Sequence, residues 1–175
     1  MSENNILHAN NWSDMFKDII NNYSQSQSDY YKNNSENEDI REMARLDSKR
    51  FGSVSEEILR NLFDLGPRTS TQNDGTKNGI PLEIKAARRW AGRNDCKWQH
   101  IEPEHDYHCL LLALLDFDGW KVWIINKSVL FGVCRDNNLI EKQGLQGWWC
   151  KKSKIMPYLT EIHNTNDLVD FLNTI

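Results

Sequence analysis

The apolar positions of the chain change period along its length. Trp12, Phe16, Ile19, Ile20 and Tyr23 recur at helical spacing, with Asn11 or Ser13 placed to cap, which predicts an amphipathic helix over residues 12–23. Residues 24–38 (SQSQSDYYKNNSENE) are rich in Ser, Asn and Gln, have no period, and predict a flexible connection. Helical spacing returns from Asp39 through Ile40, Met43 and Ala44, then Phe51, Val54, Ile58, Leu62 and Leu65, until Gly66-Pro67 ends it. One long helix, or two broken near Gly52, fits this stretch. Residues 69–87 switch to strand chemistry. Residues 108–115 (HCLLLALL) are too apolar for a half-exposed strand and predict a central one, followed by a turn over 116–120 and a partner strand over 121–126. Residues 127–160 are mixed, with Gly144 and Gly147 flanking a loop before Trp148-Trp149, and residues 166–175 predict a short amphipathic helix. Helices, then an antiparallel sheet, then a helix: this order predicts an α+β or mixed α/β domain.

Composition narrows the class. The 175 residues fit one domain, and seven Trp, six Phe and five Tyr compensate in buried area for a hydrophobic share of only 39%. No apolar run approaches the roughly 20 residues that cross a bilayer. The first residues, MSENNILHAN, lack a basic stretch followed by an apolar one, so the expectation is an intracellular, cytoplasmic protein without a membrane segment. Cys96, Cys109, Cys134 and Cys150 lack the close pairing of a zinc site and do not suggest a disulfide framework.

Net charge is −4, unpromising for a nucleic-acid binder, but the charge is unevenly spread. Residues 1–48 carry nine Asp/Glu against four Lys/Arg, whereas residues 77–98 carry six Lys/Arg against two Asp/Glu. A second basic cluster, Lys151, Lys152 and Lys154, follows Trp148-Trp149. Counterion release acts over short range, so a local basic face outweighs the global sum.

The most informative stretch runs from Asp74 to Lys85. Asn78-Gly79 is the favoured two-residue type I′ hairpin turn, which pairs Lys77 with Ile80, Thr76 with Pro81, Gly75 with Leu82 and Asp74 with Glu83. The 74/83 pair falls on a non-hydrogen-bonded rung, with Cα atoms about 4.5 Å apart. Pro81 lies on another such rung, where its missing N–H costs nothing. Lys85 shares the face of Glu83, while Leu82, Ile84 and Ala86 point the other way. Adjacent carboxylates repel unless a proton or a cation joins them, and a hard divalent ion, Mg²⁺ above all, suits the pair.

Asp74 with the tripeptide Glu83-Ile84-Lys85, preceded by the helical FGSVSEE (residues 51–57), resembles the PD-(D/E)xK nucleases, the restriction endonuclease-like superfamily. Asn73 stands where the family's name has proline. The resemblance spans about residues 50–130 and is greatest to a small type II restriction endonuclease. It implies a central mixed sheet flanked by helices, with a nuclease core over 49–175. Residues 1–48 become a helical and flexible segment, either part of that domain or a dimerisation element. It also implies a Mg²⁺-dependent DNA endonuclease, with Mn²⁺ able to substitute, acting on double-stranded DNA and leaving 5′-phosphates. Asp74 and Glu83 would bind metal, Glu56 would join them from the preceding helix with Glu57 as its rival, and Lys85 would assist the attacking water. Cutting both strands calls for a homodimer, and no nucleotide cofactor is expected.

Beyond the motif, Arg88, Arg89, Arg93, Lys97 and Gln99 are candidate DNA contacts. His100 is a candidate for orienting the phosphate or water, with a structural role as its alternative. Trp148-Trp149 with Lys151 and Lys152 suits a DNA-facing loop or a buried Trp pair with a lysine rim. Two other functions compete: a structure-selective nuclease such as a junction resolvase, and a non-catalytic DNA-binding module.

Overall fold

The computed structural model describes residues 5–21 and 26–175. Helix α1 spans Ala9–Asn21, and Trp12, Phe16 and Ile19 lie along it, about half-exposed. Tyr23, and residues 24–25 of the expected connection, lie outside the described residues. The rest of that connection is not a flexible link: Gln27–Asn34 forms helix α2, capped by the Ser26 side chain. Its stability comes from Tyr31 rather than from an apolar stripe. Tyr31 is fully buried, its hydroxyl accepts from Arg89 N–H at 2.8 Å and donates to Leu115 O. A single anchor of this kind leaves no period in the sequence.

The next helical stretch is two helices, α3 (Glu38–Arg45) and α4 (Ser48–Leu62), and they part at Leu46-Asp47, not at Gly52. Asp47 makes the break, because its carboxylate accepts from Arg50 N–H as the cap of α4, a contribution of about 1 kcal/mol. The buried stripe of α4 is Phe51, Ser55 and Leu59, continued by Phe63, while Val54 and Leu62 are exposed. Tyr31, Ile40 and Ala44 pack with Phe51 and Leu115, so α2 and α3 join the body of the protein.

Five strands, β1 (Gly75–Lys77), β2 (Ile80–Arg88), β4 (Cys109–Leu115), β5 (Trp120–Asn126) and β8 (Thr160–Ile162), form one sheet in the order β1-β2-β4-β5-β8. The protein is thus mixed α and β, with a mixed sheet rather than the antiparallel one: β2 and β4 run parallel, and the other pairs antiparallel. A parallel pair requires a crossover, and residues 89–108 provide it. Every residue of β4 is buried, as its continuous apolar run predicts. Leu110, Leu112 and Leu114 face a core with Trp98, Trp123 and Leu130, and Leu111 and Ala113 face Leu59, Leu82, Ile84 and Leu168. Each fully buried leucine contributes about 1.5–3 kcal/mol.

The crossover contains β3 (Lys97–Ile101), which pairs with β7 (Trp148–Lys151), and β7 with β6 (Ile140–Lys142), making a second, antiparallel sheet. This sheet left no clear period in the sequence because β3 carries an extra residue. Trp98 opposes Cys150 and Ile101 opposes Trp148, so two residues on β3 face one on β7. His100 takes up the bulge at φ +57°. Gly147 enters β7 at φ +78° with its Cα tight against Ile101 O, where a Cβ would come within 2.7 Å. Short helices α5 (Lys127–Val129) and α6 (Lys152–Ile155) flank this sheet, and α7 (Thr165–Leu172), capped by Asn164, closes the chain. All four cysteines are free and buried, and among the described residues no helix is long and apolar enough to cross a membrane.

Candidate active site

The Asn78-Gly79 turn forms with both residues at positive φ, +50° and +77°, and sets the register Lys77↔Ile80, Thr76↔Pro81 and Gly75↔Leu82. The ladder stops there. Asp74 does not continue it as a plain rung opposite Glu83. Its N–H donates to Leu82 O at 2.8 Å, and its Oδ2 accepts from Ile84 N–H at 2.7 Å. The side chain thus replaces the next peptide of β1, which fixes one carboxylate oxygen and leaves Oδ1 for other partners.

Glu83 and Lys85 project from the same face of β2, and Lys85 Nζ lies 2.8 Å from Glu83 Oε1. Glu83 is only 7% exposed, so this pair is largely desolvated. Burial first, and then the charge of Glu83, hold the Asp74 carboxyl above the usual aspartate range. The Ile84 N–H, Lys85 and Arg68 oppose that rise. The two acids therefore share one electrostatic site although no rung joins them.

Glu56 reaches this site from α4, whose Leu59 packs with Leu82 and Ile84 of β2, and Glu57 is exposed outside it. Between Glu56 and Asp74 stands Arg68. Its Nη2 contacts Glu56 Oε1 and lies 3.5 Å from Asp74 Oδ1. Glu56 above all, with Asp74 and Glu83, holds the guanidinium firmly protonated against its partial burial. Arg68 sits in a loop after Gly66-Pro67 with no motif or period around it, so no feature of the sequence marks it.

Among the described residues no group of three or more His, Cys, Asp and Glu side chains is gathered closely enough to hold a metal ion. The donors that do converge, Asp74 Oδ1 and the Glu83 carboxylate, are hard oxygens. Two carboxylates suit a largely hydrated Mg²⁺ or Mn²⁺. Glu56 is kept apart by its arginine.

Glu56, Asp74, Glu83 and Lys85 line an open cleft of about 690 Å³. Lys97, Gln99 and His100 of β3 line the same cleft, with Trp90. Gln99 accepts from Gln143 Nε2 at 3.1 Å, and both Gln99 and His100 are exposed because of the bulge. Lys97 opposes Lys151 directly across the β3–β7 ladder. Their ammonium groups lie 4.1 and 5.8 Å from the ring centre of Trp149, and Lys151 also lies 5.8 Å from that of Trp90. Neither lysine has a carboxylate partner among the described residues. Like charges directly opposed on neighbouring strands are unfavourable, and an anion between them removes the penalty.

Other basic residues are placed differently. Arg88 borders the cleft, but its Nη1 donates to Ala44 O at 3.0 Å and Leu46 O at 2.8 Å, closing the end of α3, and its guanidinium lies over Phe51. Arg89 pairs with Asp116 at 3.0 Å and stacks on Phe117, so it is committed to the fold. Lys152 is buried, with Nζ 5.7 Å from the ring centre of Trp123, which corrects its expected place on a DNA-facing loop. Arg93 is exposed in the turn before β3. The basic runs were legible as charge, but charge alone does not say which guanidinium has a partner inside the fold.

No family model matches the chain, and no curated protein matches it. The functional reading rests on the site.

Proposed function

We propose that this chain is a divalent-metal-dependent nuclease that hydrolyses phosphodiester bonds in double-stranded DNA, with sequence-specific cutting of the type II restriction kind. One observation carries the reading: Asp74, Glu83 and Lys85 line one cleft together with Lys97 and Gln99. A duplex backbone in that cleft would meet cations as well as the reacting groups.

Asp74 Oδ1 and Glu83 would hold Mg²⁺, or Mn²⁺ in its place, and Glu56 on α4 would join them only once freed from Arg68. Such an ion, when bound, neutralises phosphoryl charge and makes a bound water more acidic. Ile84 N–H fixes the Asp74 carboxylate so that it meets its ligand without reorganising. Lys85, held by Glu83 at 2.8 Å, is placed to orient the attacking water or to neutralise the phosphate as charge builds on it. His100, exposed at the cleft, is placed to contact a phosphate oxygen. Attack of water oxygen on phosphorus breaks the P–O3′ bond, leaving a 5′-phosphate on one strand end and a 3′-hydroxyl on the other.

Cutting both strands needs two such sites, and two copies of the chain supply them. The exposed face of α1, with Phe16 half-exposed between Trp12 and Ile19, is the apolar surface for that pairing.

The decisive experiment is digestion of a phage genome by the purified protein in Mg²⁺, with a chelator control. Discrete bands support the reading. Cutting confined to branched DNA transfers it to a structure-selective nuclease. No cutting by folded protein in either Mg²⁺ or Mn²⁺ overturns it. A second reading, a DNA-binding module without catalysis, is favoured by the Arg68 contact with Glu56, which satisfies the acids as they stand. Lys85→Ala separates the two: loss of cleavage with retained binding supports catalysis, and weakened binding alone supports the module.

A further inference from the structure

We infer that Arg68 is a displaceable counter-ion of the acidic centre, released when metal binds and taken up by a phosphate of the nucleic acid, so that the two ligands bind with positive coupling. This rests on the nuclease reading and adds a positioning residue to it. The backbone on both sides of Arg68 is pinned. Gly66 N–H donates to Thr76 O at 2.7 Å, and Thr76 Oγ1 to Pro67 O at 3.2 Å. On the far side, Asn73 accepts from Thr69 N–H at 3.3 Å and donates to Asp106 O at 3.1 Å. The side chain is free to move by comparison, with 41% of it exposed.

Arg68 stands against two of the three acids a metal would use, touching Glu56 and lying 3.5 Å from Asp74 Oδ1. A divalent ion at Asp74 and Glu83 is a like charge at close range, and it competes for the same oxygen lone pairs. Glu56 becomes available only when its arginine leaves. Where it stands, the guanidinium pairs with no carboxylate other than these two among the described residues. A phosphate backbone entering the cleft offers two non-bridging oxygens, which a planar guanidinium can bind through two parallel N–H groups. Metal therefore displaces Arg68 toward DNA, and DNA draws Arg68 away from the metal site. Binding coupling of this kind is reciprocal.

The test titrates Mn²⁺ by calorimetry into the wild type, Arg68→Ala and Arg68→Lys, each with its melting temperature recorded. Binding of a duplex with slowly hydrolysed phosphorothioate linkages is measured beside it by fluorescence anisotropy. Without DNA, Arg68→Ala is expected to bind Mn²⁺ about tenfold more tightly than the wild type, with Arg68→Lys between them. Mn²⁺ is expected to strengthen duplex binding severalfold more in the wild type than in Arg68→Ala, where only the ion's own contact with phosphate remains. Equal or weaker Mn²⁺ affinity in Arg68→Ala, or an unchanged Mn²⁺ enhancement of duplex binding, overturns the inference and leaves the nuclease reading standing. A wild type that binds no Mn²⁺ with or without DNA overturns both.

Discussion

Asp74 Oδ2 accepts the backbone N–H of Ile84 at 2.7 Å, which makes one carboxylate both the end of a strand ladder and the start of the candidate site. The two roles separate by substitution. Asp74→Asn keeps an acceptor for Ile84 and should melt close to the wild type, while DNA cleavage falls by at least about a hundredfold. Asp74→Ala loses the acceptor too and should be less stable than Asp74→Asn by about 1 kcal/mol. Denaturant unfolding beside a cleavage assay checks both.

The raised Asp74 carboxyl gives a pH signature. In the folded state it keeps its proton to a higher pH than in the unfolded chain. Stability is therefore lost as pH rises from the ordinary aspartate value through the folded value, and is level beyond it. Asp74→Asn should remove that loss, so the difference between the two unfolding-versus-pH curves isolates it. Cleavage and Mn²⁺ binding need the carboxylate and should fall on the acid side with a midpoint above the usual aspartate range.

Asp116 has the opposite linkage. Burial raises its carboxyl, but Lys121 at 2.9 Å, the Phe117 N–H and Arg89 together hold it below the ordinary value. This stability is present at neutral pH and is lost as pH falls through the depressed folded value. Asp116→Asn should cost about 3 kcal/mol at pH 7, because it strands a largely buried guanidinium. Arg89→Ala should likewise lower stability, and the exposed Arg93→Ala should leave it within about 0.5 kcal/mol. Chemical denaturation of the three variants checks the contrast.

Lys97 and Lys151 should act through phosphate. Replacing each by Ala should weaken DNA binding evenly across sequences and reduce the slope of log affinity against log salt by about 1. Lys152→Ala, which removes a buried side chain, should lower the melting temperature and leave that slope unchanged. Salt titrations of duplex binding separate the two classes.

The proposed pairing through α1 should be broken by charge on that face. Phe16→Glu is expected to sediment at the 20.5 kDa of one chain and the wild type at twice that mass.

What the sequence disclosed depended on how local the cause was. Asn78-Gly79 fixes a hairpin by its own φ preferences, so the 75–82 register and the shared face of Glu83 and Lys85 could be read directly. Asp74 was legible as a neighbour of that face but not as an acceptor for Ile84, because the ladder's end depends on the loop before it. Tyr31 anchors a whole helix with one hydroxyl, and Arg68 reaches Glu56 across a loop closed by Gly66 and Thr76. Neither contact leaves a periodic trace. The bulge at His100 hid β3 by shifting its alternation by one residue.

The cleft draws on separate sheets, Glu83 and Lys85 from β2 in one and Lys97 and Gln99 from β3 in the other, with Asp74 just before β1 and Glu56 on α4. Among the described residues no backbone ladder joins the two sheets. Under the proposed function, substitutions in the β3–β7 sheet can change contacts to a target without shifting the register that sets Glu83 beside Lys85.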